Sequence, residues 1–428
     1  MSEAASGLPA VLTLNAGSSS VKWALFRIGA GPVRTAAGQI ERIGLQDGIV
    51  TVSDVATGHH ERRIEQVPDH AASVRLLLDQ LTQSGRGLSV RAVGHRVVHG
   101  GSRYADPQVI STEVMEELRR LSPYDPEHLP AEITFIEAFG RHYPHVPQVA
   151  CFDTGFHQHL PPVARLLAIP RRYEKLGIRR YGFHGLSYAY LMEELERVAG
   201  CDAARGKVIL AHLGNGASLA AVRNGVSIDT SMGFTPTSGL PMSTRSGDLD
   251  PGLISYLAKT EGMTAEQFHH MVNAQSGLLG LSEISPDLRD LLAQEGRDTR
   301  AAEAVALFCY QGKKWIGAFA AALGGVEQLV FSGGIGEHSP IVRARMCEGL
   351  DFLGIHLDPK LNEANAAVIS SPASRVTARV IRTDEESQIA QSVCRLLAVN
   401  EVRGRCRTVV HACRGRLMTD SQNLRGSP

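Results

Sequence analysis

Charged and imidazole side chains concentrate in five short stretches: GHRVVHGG, CFDTGFHQHLP, RRYGFHGLSY, AHLGNG and SMGFTPTSGLPMSTRSGDLDPG. Glycine and proline around them free the backbone to present those side chains at a cleft. Arg96 stands at a strand–loop junction, and Arg245 sits in a Thr/Ser/Gly loop poor in helix formers. Two fixed guanidiniums suit a carboxylate or a migrating phosphoryl group. Each arginine taken alone is equally open to an ordinary surface ion pair. His184 in YGFHGL has glycines at 182 and 185 and an aromatic neighbour. Asp153 follows VPQVACF and so emerges at a strand's carboxyl end, where open α/β sheets bind ligands. Glu385 falls in the first turn of a helix, where the dipole favours a carboxylate whatever its function.

Three glycine-rich loops at strand ends accompany these residues: NAGSSS, HLGNG and SGGIGE. Backbone N–H groups in such loops and at helix N-termini favour phosphate oxygens. Singly, each reads first as a turn; together with the arginines they point to a nucleotide site. The first is not a common P-loop, because a single glycine, Gly17, precedes Lys22 where G-x-x-x-x-G-K-[ST] requires two.

Those loops need elements to hold them. Strand-like and helix-like segments alternate along the 428 residues, which indicates an α/β architecture and a length suited to two domains. AVLTL and VKWALF form a first strand pair, with Val21, Trp23 and Leu25 alternating with Lys22, Ala24 and Phe26. AASVRLLLDQLTQSG is an amphipathic helix and RAVGHRVVHGG a strand entering a loop. STEVMEELRRL is a helix capped by Ser111, with Val114, Leu118 and Leu121 in helical spacing. KVILAHLGNGASLAAVRNGVSI repeats the opening strand–loop–strand, with Asn15 and Asn215 at like places; it is either a duplicated domain or the common look of two hairpins. The last element is RVIRTDEESQIAQSVCRLLAV: a strand, a Thr383/Asp384 cap, and a helix turning Ile389, Val393, Leu396 and Leu397 inward.

Composition excludes several classes. Forty-four basic residues balance 44 acidic ones, so nothing favours nucleic acid or a membrane surface as partner. The seven cysteines, Cys151, Cys201, Cys309, Cys347, Cys394, Cys406 and Cys413, form no C-x-x-C and are expected as buried free thiols in a reducing compartment. MSEAASGLPA carries no secretory pattern, and no apolar run reaches a membrane span. A cytoplasmic protein is expected.

In this order, NAGSSSVKW, GHRVVHGG, FDTGFHQ, RRYGFHG, AHLGNGAS, DTSMGFTP, TRSGDLDP, SGLLGLS, FSGGIGE and TDEESQIA resemble the acetate kinase family of carboxylate phosphotransferases, over roughly residues 10 to 398. The resemblance implies an α/β fold of two duplicated actin-like ATPase (ribonuclease H-like) domains around a nucleotide cleft. Its domains would be residues 10–155 with 386–399, and residues 156–385; residues 400–428 are a basic tail. It implies reversible, Mg2+-dependent phosphoryl transfer from ATP to acetate, with Mn2+ as an alternative ion, in a cytoplasmic homodimer.

The same resemblance assigns roles. Asn15 and Glu385 would lie at the metal. Lys22 and His212, Leu213, Gly214, Asn215 and Gly216 would hold ATP phosphates, with Ser18 and Ser20 supplying hydroxyls nearby. Asp287, Leu288 and Arg289, with Gly334, Ile335, Gly336, Glu337 and His338, would surround the nucleoside. Arg96 would take the substrate carboxylate beside an apolar wall of Val98, Phe183 and Pro236. Asp153, His184 and Arg245 would be catalytic. Asp153 is cast as orienting substrate or metal, since an ionised carboxylate acceptor needs no general base.

Tyr124 and Asp125 depart from the family pattern, replacing a usual leucine and histidine; Tyr188 and His338 replace a usual histidine and asparagine. Tyr124 would narrow the acyl pocket or add a hydroxyl partner, and His128 would compensate Asp125. A propionate or other short-chain acyl kinase is the alternative. A non-catalytic nucleotide-dependent hinge protein and a sugar kinase are further readings. The first does not need the Arg96, Asp153, His184 and Arg245 set. The second wants many polar sugar contacts.

Overall fold

The computed structural model describes residues 9–17, 20–55, 57–84 and 90–397; Ser18, Cys406, Cys413 and the basic tail lie outside the described residues. The opening hairpin joins β1 (Ala10–Ala16) to β2 (Ser20–Arg27) in antiparallel register, Asn15 facing Lys22 and Ala16 facing Val21. The second hairpin joins β9 (Lys207–Leu213) to β10 (Ala217–Arg223), His212 facing Ser218 and Leu213 facing Ala217. Counted from the last pair of each hairpin, the counterpart of Asn15 is His212. Asn215 lies in the tip beyond it, exposed, so the sequence match of Asn15 with Asn215 is displaced by the different loop lengths.

Both hairpins extend into the same five-strand order. In the first sheet β3 (Val33–Glu41) pairs antiparallel with β2, while β6 (Val90–Val97) and β8 (Gln148–Phe152) follow β1 in parallel. In the second, β11 (Val226–Thr230) pairs antiparallel with β10, while β12 (Gln328–Ser332) and β13 (Thr377–Val380) follow β9 in parallel. The orders β3-β2-β1-β6-β8 and β11-β10-β9-β12-β13 are thus one topology used twice. The first sheet alone is widened to eight strands by β4 (Gly48–Asp54), β5 (His60–Glu65) and β7 (Gln108–Val109).

The alternation in β2 predicts one buried face, yet both are covered. Val21, Trp23 and Leu25 pack with Leu77 and Phe139 of the helices His70–Gln83 and Leu129–His142. Ala24 and Phe26 pack on the other face with Ile389 and Val393 of the last helix, Glu385–Leu397. That helix lies so close to β6 that a Cβ on Gly94 would come within 2.5 Å of Ile389 Cγ2. Its cap is Asp384, which accepts from the Ser387 N–H at 2.9 Å; Thr383 instead hydrogen-bonds Ser187. Leu396, expected inward, is 43% exposed, whereas Leu397 is half-buried and packs against the same cluster as Ile389 and Val393. Ser111 caps Thr112–Leu121 as expected, with Val114, Leu118 and Leu121 buried. Cys151, Cys309, Cys347 and Cys394 are buried thiols, and Cys201 is half-buried at the start of a short helix. Among the described residues no helix is long and apolar enough to cross a membrane.

Candidate active site

The carboxyl ends of the parallel strands and the tips of both hairpins bring the expected residues together. Arg96, one residue before the end of β6, uses Nε and Nη2 to donate to Oδ2 of Asp153, at 3.0 and 2.6 Å. Asp153 follows β8 directly and its backbone N–H donates to Val97 at 2.9 Å, which fixes it beside β6. Its Oδ1 is buried with no hydrogen-bond partner. On the far side of Arg96, Nη1 is 3.6 Å from Glu132, whose two oxygens accept from the Val98 N–H at 3.2 and 3.0 Å. Burial pushes the Glu132 carboxyl up to about 8, against the pull of Arg96 and that N–H. Glu132 has no signal in the sequence, where it reads as one polar position of an amphipathic helix.

Gly185 ties the second hairpin's side of the cleft to this cluster. Its N–H donates to the Asp153 carbonyl at 2.8 Å, and a Cβ there would lie 2.1 Å from the same oxygen, so only glycine permits the approach. The turn leaves His184 at φ 60°, a left-handed conformation that costs a non-glycine residue on the order of 1–3 kcal/mol. Its Nδ1 lies 2.8 Å from Ser218 Oγ, and its ring stacks on His212 at 4.3 Å. Burial, with His212, Arg96 and Arg245 nearby, holds His184 well below the usual imidazole range, so it is neutral. His212 is lowered to about 4 by burial, and its Nδ1 meets Ser187 Oγ at 2.8 Å; Ser187 in turn meets Thr383 Oγ1 at 2.7 Å. Ser187 and Ser218 sit inside the quoted motifs GLSY and NGAS, and only their adjacency to histidines hints at this.

Arg245 is the contrasting cation. Its Nη1 donates to the Pro236 carbonyl at 3.2 Å, and among the described residues no carboxylate lies within ion-pair distance. Its surroundings lower its pKa through burial, with Asp125 opposing. His184 Nε2 and Arg245 Nη1 converge on Gly216, where a Cβ would stand 3.0 and 3.5 Å from them. A cavity of about 70 Å³ opens beside Arg245, lined in part by Tyr124, Asp125, His128 and Pro236. Val98 and Phe183 are buried in the adjoining apolar cluster. Tyr124 does not offer its hydroxyl to the pocket; it donates to the Leu176 carbonyl at 3.0 Å. His128 does engage Asp125, Nδ1 to Oδ1 at 2.8 Å, while Asp125 Oδ2 is buried and unpartnered.

The residues expected at the metal meet each other: the Asn15 amide donates to Glu385 Oε2 at 2.8 Å across 370 positions of sequence. Burial and the Asp153 charge raise the Glu385 carboxyl above its ordinary value, with Arg96, Lys22 and Asn15 opposing. Among the described residues no three His, Cys, Asp or Glu side chains gather closely enough to cage a cation. The Asn15 carbonyl, Glu385 and the orphaned Asp153 Oδ1 are a sparse, all-oxygen set. That set fits Mg2+, which usually keeps waters and takes one or two carboxylates beside substrate phosphates.

The residues expected at the nucleoside divide. Gly333–His338 is a short helix rather than the expected loop, packed so that a Cβ on Gly333 would lie 2.6 Å from the Leu213 carbonyl; Gly214 to Gly216 are therefore its neighbours. Buried Arg343 holds its end, donating to the carbonyls of Gly336 and Glu337 at 2.8 and 3.1 Å. Glu337 is turned inward, accepting from the N–H groups of Gly333 and Thr383, whereas His338 is exposed. Leu288 is buried in the core; Asp287 caps its helix and pairs with Arg289, which is 89% exposed.

Comparison with known proteins gives the family and the fold. The Acetokinase family profile matches residues 10–391. Acetate kinases of Bacillus cytotoxicus and Geobacillus kaustophilus are 45% and 46% identical over 393 and 394 residues, 90% of this chain and 98% of each relative. Among solved structures, Porphyromonas gingivalis acetate kinase superposes with a TM-score of 0.81 at 38% identity, covering 91% of this chain and all of that one. A propionate kinase from Francisella tularensis superposes with a TM-score of 0.84 at 34% identity, covering 90% and 99%. The two sheets follow the actin-like ATPase fold of those structures. The chain belongs to the acetokinase family.

Proposed function

We propose that the protein is an ATP-dependent acetate kinase, reversibly transferring the γ-phosphoryl group of ATP to the carboxylate of acetate to give acetyl phosphate and ADP. The observation that carries this reading is the convergence on Gly216, at the tip of the second hairpin, of a neutral His184 Nε2 and an Arg245 guanidinium that meets no carboxylate among the described residues. A phosphoryl group in flight spreads negative charge over its oxygens, and donors fixed in advance stabilise it. Arg96 binds the substrate carboxylate in exchange for Asp153, and Asp153 then orients the acceptor. Val98, Phe183 and Pro236 bound the acyl chain. Lys22, exposed on β2, and the Gly214–Gly216 tip take ATP phosphates. The Gly333–His338 helix with Asp287 and Arg289 flanks the nucleoside. Asn15 and Glu385, with Asp153 beside them, would hold Mg2+, or Mn2+, which would screen phosphate charge when bound.

Residues 10–155 with 386–399 form one domain and 156–385 the other, a division supported by the last helix packing on β1 and β6. Buried thiols support a cytoplasmic setting. A homodimer is supported by the apolar helix Gly252–Thr260, none of whose residues is buried, with Ile254 42% and Tyr256 63% exposed. Propionate is the second acyl substrate to consider, favoured by the similarity to a propionate kinase. Acyl phosphate formation across formate, acetate, propionate and butyrate decides: acetate is expected to give the highest kcat/KM, and failure on all four refutes a carboxylate kinase.

A further inference from the structure

Tyr188 lies one turn beyond His184 on the helix Gly185–Ala199, with its ring fully buried. Its hydroxyl is 2.5 Å from Ser218 Oγ, the oxygen that also meets His184 Nδ1 at 2.8 Å. Among the described residues, Ser218 Oγ is the one hydrogen-bond partner the Tyr188 hydroxyl has. That decides the direction of the chain. A buried phenol proton left without an acceptor costs about 1–3 kcal/mol, so Tyr188 donates to Ser218. The single Ser218 proton is then free for Nδ1, which accepts it. With Nδ1 an acceptor and the ring neutral, the His184 proton must sit on Nε2, the nitrogen that faces Gly216 and Arg245.

We infer that Tyr188 and Ser218 are positioning residues that lock His184 in its Nε2–H tautomer, so that it presents a hydrogen-bond donor, not a lone pair, to an anionic phosphoryl group. Reversing the chain would turn an acceptor towards that anion and leave the buried phenol proton unpaired. The His212 ring stacked on His184 blocks rotation of the imidazole and so keeps the tautomer choice tied to one direction in space. The function of the lock rests on the reading of His184 as a phosphoryl contact; the lock itself does not.

The test combines kinetics with side-chain nitrogen spectra of the 15N-histidine-labelled protein, the His184 signals being identified by their loss in His184→Gln. The wild type is expected to show His184 as the Nε2–H tautomer alone. Tyr188→Phe keeps the ring and removes the donor. Water entering the space the hydroxyl leaves would let Ser218 point either way, so the variant is expected to mix the two tautomers and lower kcat by about 5- to 50-fold, with KM for acetate and ATP held within about twofold. Ser218→Ala should do the same and more, and supplies the comparison if Tyr188→Phe does not fold. An unchanged tautomer in both variants, or a wild type that is already mixed, overturns the lock. A tautomer shift with unaltered kcat leaves the lock and overturns its role in turnover. Full activity in His184→Gln instead overturns the reading of His184, and the spectra still decide the lock.

Discussion

Arg245 and Arg96 carry the same charge into the cleft in opposite states. Arg96 is enclosed by Asp153 and Glu132, whereas Arg245 has a carbonyl and no carboxylate within reach among the described residues. On the proposed reading a substrate carboxylate would displace an internal one from Arg96, an exchange of like for like that would store little binding energy. Arg245, on the same reading, would gain its counter-charge only as the phosphoryl group arrives. Replacing Arg245 with alanine is therefore expected to lower kcat by about 100- to 1,000-fold while leaving ADP affinity within a few-fold, checked by steady-state kinetics and calorimetry. Asp125 acts on the same cation from the acyl side, with one oxygen unpartnered. Asp125→Asn keeps the acceptor for His128 and removes the anion, so KM for acetate should fall several-fold; an unchanged KM would show that Asp125 only shapes the loop.

The strands that deliver these residues also bury histidines with no catalytic part. His95 in β6 is fully enclosed, its Nε2 2.6 Å from Gln148 Oε1, and burial lowers it from 6.5 to about 4. Between those values the unfolded chain binds a proton that the folded chain refuses, so the stability this histidine leaves at neutral pH is lost as pH falls from 6.5 towards 4. The stability difference between wild type and His95→Gln should shift against wild type by on the order of 2 kcal/mol from about pH 7.5 to about pH 5, measured by urea denaturation. At this scale much is legible in sequence. The hairpins, the Ser111 cap and the emergence of Asp153 after β8 follow from local period and turn chemistry. What escapes is whatever depends on a distant partner. Ser187 meets Thr383 and Arg96 meets Glu132, neither of which has a periodic signature. Asn215 misled because loop residues align by type in sequence, whereas the frame aligns by register.

As a whole the molecule exposes apolar surface unevenly, and the helix Gly252–Thr260 is its clearest instance. If it seats a second copy, Ile254→Asp should shift the protein from dimer to monomer in sedimentation velocity at micromolar concentration; a dimer that persists unchanged moves the contact elsewhere. The repeated strand order has a consequence of another kind. Each half has the same pair of facing positions one step inside its hairpin tip, Asn15 with Lys22 and His212 with Ser218. One copy has filled them with an amide and an ammonium, the other with an imidazole and a hydroxyl. The same frame therefore carries two chemistries, a fixed charge at the first hairpin and a hydroxyl–imidazole pair at the second, so neither hairpin can stand in for its twin.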